Sequence, residues 1–105
     1  QKGMTSVTAA SKTTYTAVAG DQIVVDTVAN PVTITLPSSP AVGDEVTIMD
    51  GSASNGFATN NCIIDRNGQP IEGAAANDTL ATNNQCVTLI YANATKGWLY
   101  KSTNQ

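Results

Sequence analysis

The chain contains no histidine. That removes the residue type that most often serves as general base, metal ligand or triad partner. Two cysteines, Cys62 and Cys86, and eight carboxylates remain. A thiol is a weak nucleophile until a neighbouring base activates it, and without histidine no such base is evident. Two thiols without histidine also fall short of a zinc site. Both cysteines stand in apolar, strand-like contexts, so they are expected as small buried hydrophobes, reduced rather than bridged. A pair of carboxylates can run glycoside hydrolysis, and Asp44/Glu45 and Asp26/Asp50 are the available pairs. Asp26, Asp44 and Asp50 each fall at a strand end or turn, where an aspartate caps local backbone N–H groups. That role is the expectation for all three.

The remaining motifs are weak. No G-x-S-x-G elbow, P-loop or dinucleotide glycine fingerprint is present. Asp50-Gly-Ser-Ala-Ser-Asn-Gly56 resembles a calcium loop, but its second glycine comes one place late and Asn61 stands where the closing glutamate belongs. It reads as a surface loop. Asn77-Asp-Thr79 and Asn93-Ala-Thr95 fit the glycosylation sequon, which arises by chance in a chain rich in Asn and Thr. No catalytic residue, cofactor site or metal site is expected, and the chain reads as non-enzymatic. The aromatic set is Tyr15, Phe57, Tyr91, Trp98 and Tyr100. Trp98 and Tyr100 share one face of the last strand-like run. They have two readings: a platform for stacking sugar rings, or anchors of a core or subunit interface, where Trp and Tyr are enriched. The anchor reading is preferred, with Trp98, Tyr100 and Tyr91 as the candidate interface or sugar contacts.

Composition narrows the class of partner. Of 105 residues only 12% are charged, against about a quarter in ordinary soluble domains. Depletion of charge is a mark of interface cores, so much of this surface is expected to meet protein. Net charge is −3 and the five cations, Lys2, Lys12, Arg66, Lys96 and Lys101, are scattered. Binding a nucleic-acid backbone requires clustered Lys and Arg to displace counterions, so no nucleic-acid partner is expected. No apolar run approaches the roughly 20 residues needed to span a bilayer as a helix, and residues 1–12 lack the apolar centre of a signal peptide. No membrane partner is expected.

Any site must be carried on strands. Residues 1–12 are small and polar with weak periodicity and read as an extended N-terminal arm, with Lys2, Met4 and Val7 as candidate attachment residues. Residues 13–105 read as one domain, the size at which a single modest core forms. Strand-like runs fall at Thr13–Val18, Gln22–Asp26, Val32–Leu36, Glu45–Asp50, Asn61–Arg66, Gln85–Ala92 and Gly97–Lys101. Val32, Ile34 and Leu36 alternate with Thr33 and Thr35, and Val87, Leu89 and Tyr91 fall on one side of their run. This is the period-2 pattern of a sheet packed on one face. Asn67-Gly68 is a hairpin signal, because both residues accept the positive φ of a type I′ turn. No segment sustains a helical period.

Five stretches, in order, carry a resemblance. They are Tyr15-Thr-Ala-Val-Ala-Gly-Asp-Gln-Ile-Val-Val-Asp26-Thr, Val32-Thr-Ile-Thr-Leu-Pro37-Ser-Ser-Pro40, Val42-Gly-Asp44-Glu-Val-Thr-Ile-Met-Asp50, Asn67-Gly-Gln-Pro-Ile-Glu-Gly73, and Leu89-Ile-Tyr91 with Gly97-Trp98. Together the chain resembles, over roughly Thr13 to Lys101, a β-sandwich module of fibre, appendage and head-decoration proteins of tailed bacteriophages. The resemblance implies a compact antiparallel β-sandwich, jelly-roll-like, assembling as a homotrimer on the exterior of a virion after synthesis in the host bacterial cytoplasm. Other virion proteins, of capsid, tail or fibre, are the implied partners. The absence of a shaft tilts the reading toward head decoration or cement, or a short head fibre. The alternative is a tail-fibre tip that binds host-surface polysaccharide.

Overall fold

The structure is a computed structural model and describes residues 3–104. It is all-β, with no helix among the described residues. The chain forms β1 (Met4–Thr8), β2 (Thr14–Thr16), β3 (Gln22–Asp26), β4 (Val32–Thr35), β5 (Glu45–Asp50), β6 (Cys62–Asp65), β7 (Asp78–Leu80), β8 (Cys86–Asn93) and β9 (Gly97–Asn104). Odd and even strands of the first six separate cleanly. One sheet has the order β1-β3-β5-β8-β9 and the other β2-β4-β6-β7.

The expected antiparallel, jelly-roll-like arrangement is corrected here: both sheets are mixed. β1 pairs with β3, β3 with β5, β2 with β4 and β4 with β6, all parallel. The chain therefore winds through three stacked coils, β1–β2, β3–β4 and β5–β6, each placing one strand in each sheet. The last three strands close the stack with antiparallel pairings: β7 on β6, β8 on β5 and β9 on β8. The sequence misled because parallel sheets usually have both faces covered and read as continuous apolar runs. Here each strand buries one face only, so the runs alternate as antiparallel strands do.

The N-terminal arm is corrected as well. Its residues Met4–Thr8 are β1, in register with β3 from Met4↔Gln22 to Thr8↔Asp26. Val7, expected as an attachment residue, is buried at 2% exposure, while Met4 is exposed at 57%. Lys2 lies outside the described residues.

The inward positions of both sheets share one hydrophobic core. It takes Ile23 and Val25 from β3, Val32 and Ile34 from β4, Val46 and Ile48 from β5, Ile64 from β6, Val87 and Leu89 from β8, and Trp98 from β9. Each such side chain contributes about 1.5–3 kcal/mol by leaving water. Asn67 and Gly68 both take positive φ, 51° and 90°, as expected for the turn. The chain leaving that turn does not return along β6. It runs instead beside β9, where Trp98 N–H donates to Pro70 O and Glu72 N–H to Trp98 O, each at 2.8 Å. The approach is so close that a Cβ on Gly97 (φ +70°) would run into the Pro70 backbone.

Candidate functional site

The aromatic group predicted from sequence is brought together, but in the core. Trp98 is fully buried and Tyr91 is 7% exposed. Their rings meet edge to face, with centroids 5.6 Å apart and planes at 65°, a favoured aromatic geometry. Tyr91 Oη donates to Gln69 Oε1 at 3.0 Å. The Trp98 indole N–H has no hydrogen-bond partner among the described residues. A ring with no exposed face cannot stack a sugar, so Trp98 serves as an anchor.

Tyr100 is only partly buried, packed against the core. Its Oη donates to Asp78 Oδ2 and its backbone N–H donates to Glu72 Oε2 at 2.8 Å. Burial pushes the Tyr100 phenol above its ordinary range. The hydrogen bond to Asp78, and then the Asp78 and Glu72 charges, push it the same way. At neutral pH it is a phenol, not a phenolate. Beside it, Ile71, Glu72, Ala74, Ala76, Asn77 and Asp78 line a cleft of about 200 Å³. The sequence marks Asn77 and Asp78 only as part of a sequon and Glu72 only within the Asn67–Gly73 stretch. The contacts of Glu72 and Asp78 with Tyr100 of β9 depend on a long connection that carries no periodic signal.

The carboxylates considered for catalysis hold turns. Asp26 Oδ1 accepts from Val28 N–H and Asp44 Oδ2 from Ala41 N–H, both at 2.9 Å. Glu45 pairs instead with Lys101 at 2.8 Å across the sheet. Asp50 organises most of one end. Its Oδ1 accepts from Ser52 N–H at 2.9 Å, and its Oδ2 accepts from Phe57 N–H at 3.2 Å and Asn84 N–H at 3.0 Å. Burial raises the Asp50 pKa, but the hydrogen bonds from Ser52, Asn84 and Phe57 outweigh it and leave the net value below the ordinary one. The 50–56 segment that resembles a calcium loop is thus folded inward on its own aspartate. Among the described residues no group of three or more His, Cys, Asp and Glu side chains is placed to hold a metal ion.

Both thiols are free. Cys62 is buried on the inward side of β6, and burial, reinforced by the Asp50 charge, pushes its pKa up to about 12. Cys86, at intermediate exposure on β8, belongs to the other sheet. A water-soluble thiol reagent at neutral pH is expected to modify Cys86 in the folded chain and Cys62 only after unfolding. Equal labelling rates under native conditions would contradict that placement.

The outward faces of the sheets are the remaining large features. On β2 and β4, Thr14 stands beside Thr33 and Thr16 beside Thr35. On the other sheet Val24 stands beside Met49, and Met49 beside Cys86. Thr47 Oγ1 and Thr88 Oγ1 are hydrogen-bonded at 3.0 Å. Charge on these outward faces is sparse: the Thr16–Thr35 row continues onto Asp65 of β6, and the Glu45–Lys101 pair lies on the other sheet. The chain matches no protein-family model and no curated protein.

Proposed function

We propose that this chain is a structural protein of a tailed-phage virion, a head decoration or cement protein or a module of a short head fibre, built as a two-layer sandwich and assembling as a trimer. The observation that carries the reading is the scarcity of charge on the outward rows: Thr14–Thr33–Ile63–Thr79 on one sheet and Val24–Met49–Cys86 on the other carry none, and Thr16–Thr35 meets a single charge at Asp65. Extended, charge-poor β faces suit repeated packing against protein, and copies bound side by side gain affinity from multivalency. The likeness of the five stretches to phage modules points the same way. Trimer partners and capsid, tail or fibre proteins are the molecules such faces would meet on the particle exterior.

The test places a charge on each face. Thr33→Glu and Val24→Glu substitute outward, half-buried positions and are expected to retain the far-ultraviolet spectrum of the parent while entering virions poorly. Full incorporation of both folded variants would defeat the proposal. A second reading, binding of host polysaccharide, is favoured by one observation, the cleft of about 200 Å³ beside Tyr100 with Glu72, Asn77 and Asp78 on its rim. Under that reading a cleft variant such as Ala76→Trp would enter virions normally but abolish host adsorption.

A further inference from the structure

A stack of parallel coils ends, unless something covers it, in two open backbone edges at once. Here those edges are β1 in one sheet and β2 in the other, joined by a short turn. Among the described residues no strand lies outside either one. Their ladder pattern shows which groups face outward. Ala9 N–H donates to Asp26 O, Thr13 O accepts from Thr33 N–H, and Ala17 N–H donates to Thr35 O. By alternation along a strand, the amides of Met4 and Ser6 in β1, and of Thr14 and Thr16 in β2, point away from the molecule.

The opposite edges are partly covered. On β9, Trp98 N–H is taken by Pro70 O and Tyr100 N–H by the Glu72 carboxylate. On β7, Thr79 N–H is taken by the Asp78 carboxylate at 2.8 Å. Natural sheets blunt their edges with charge, proline, bulges or covering segments. The C-terminal edges use these devices. Neither Met-Thr-Ser-Val-Thr of β1 nor Thr-Tyr-Thr of β2 holds a charge or a proline.

We infer that the β1 and β2 edges are a binding surface for the same edges of a second copy. A two-fold axis perpendicular to the sheets brings β1 against β1 and β2 against β2, each pair antiparallel. Both sheets then run unbroken through two molecules, and each copy supplies the outward donors and acceptors the other needs. Self-pairing suits these strands because no like charges meet within them, whereas on β9 and β7 the amides of Trp98, Tyr100 and Thr79 are already taken. The two-fold is also compatible with the proposed three-fold: together they give D3 symmetry, with two trimers joined at their coil ends.

The test is proline at Ser6 and Thr16. Both amides point outward, so neither substitution removes an intramolecular ladder bond, and edge positions tolerate proline. Sedimentation equilibrium of the parent chain is expected to give an even number of copies, two or six. Ser6→Pro/Thr16→Pro is expected to halve that number while thermal unfolding stays close to the parent. Should the prolines disturb the fold, Ser6→Lys/Thr16→Lys keeps the amides, adds like charges across the two-fold and is expected to halve the mass as well. A parent that sediments as one or three copies overturns the inference, as does an even assembly unmoved by the folded variants. Three copies would leave the trimer reading standing without the two-fold. Two copies falling to one would support the two-fold and remove the trimer.

Discussion

Trp98→Ala is expected to cost about 3–5 kcal/mol of folding stability, the range for emptying a large aromatic site in a packed core. The ring is fully buried, meets Tyr91 edge to face and lies on the strand bridged by Ile71. Its removal opens a cavity bounded by both elements. For a domain of this size that loss lowers the thermal midpoint by roughly 15–30 °C, which differential scanning calorimetry reads directly. Trp98→Phe is expected to cost far less. It keeps an aromatic body, and the indole N–H it deletes has no partner among the described residues. A Trp98→Ala protein with the parent's midpoint would mean that the ring is not in the core.

Asp50→Ala is the second large effect. One carboxylate receives the backbone N–H groups of Ser52, Phe57 and Asn84, so its removal leaves three donors without their acceptor. Hydrogen bonds to a charged group contribute about 1.5–3 kcal/mol each when buried. Asp50 is only half-buried and the three act as one unit, so a total of about 3 kcal/mol is expected. Asp50→Asn, which keeps one acceptor oxygen, is expected to lose less. The pH dependence follows from the direction of the shift. The folded pKa lies below the ordinary aspartate value of 3.8, so the stabilisation is complete above that value and is lost as pH falls through the folded one. Urea unfolding across that acid range should show a steeper decline for the parent than for Asp50→Ala. Parallel declines would place the acid sensitivity elsewhere.

Much of the fold was legible because alternation reports burial directly. Val32, Ile34 and Leu36 alternate with Thr33 and Thr35 as one face, and all three are buried. The runs Gln22–Asp26 and Glu45–Asp50 are strands with those bounds. Strand direction was not legible, since a half-buried strand alternates alike in either orientation. The coils were hidden too. Met4 pairs with Gln22 and Gln22 with Thr47, but the intervening turns differ in length and leave no fixed period. β1 and β7 were missed for a different reason. Val7 is the only fully buried residue of β1 and Leu80 the only one of β7, too little to make a pattern. The expected arm consequently carries Val7 and Ala9 into the core, so deleting residues 1–12 would remove an edge strand. At the site, the aspartate caps were readable from turn position. The Glu72 and Asp78 contacts with Tyr100 arise from tertiary pairing that no local spacing announces.

The most direct test of the structural-protein reading is to locate the chain on purified phage particles, using an affinity label at its C-terminus and gold-labelled electron microscopy. Label repeated over the particle exterior at positions related by three-fold symmetry is the predicted result. Particles that are infectious, complete and free of the protein, with the label found only in the soluble lysate, would contradict it.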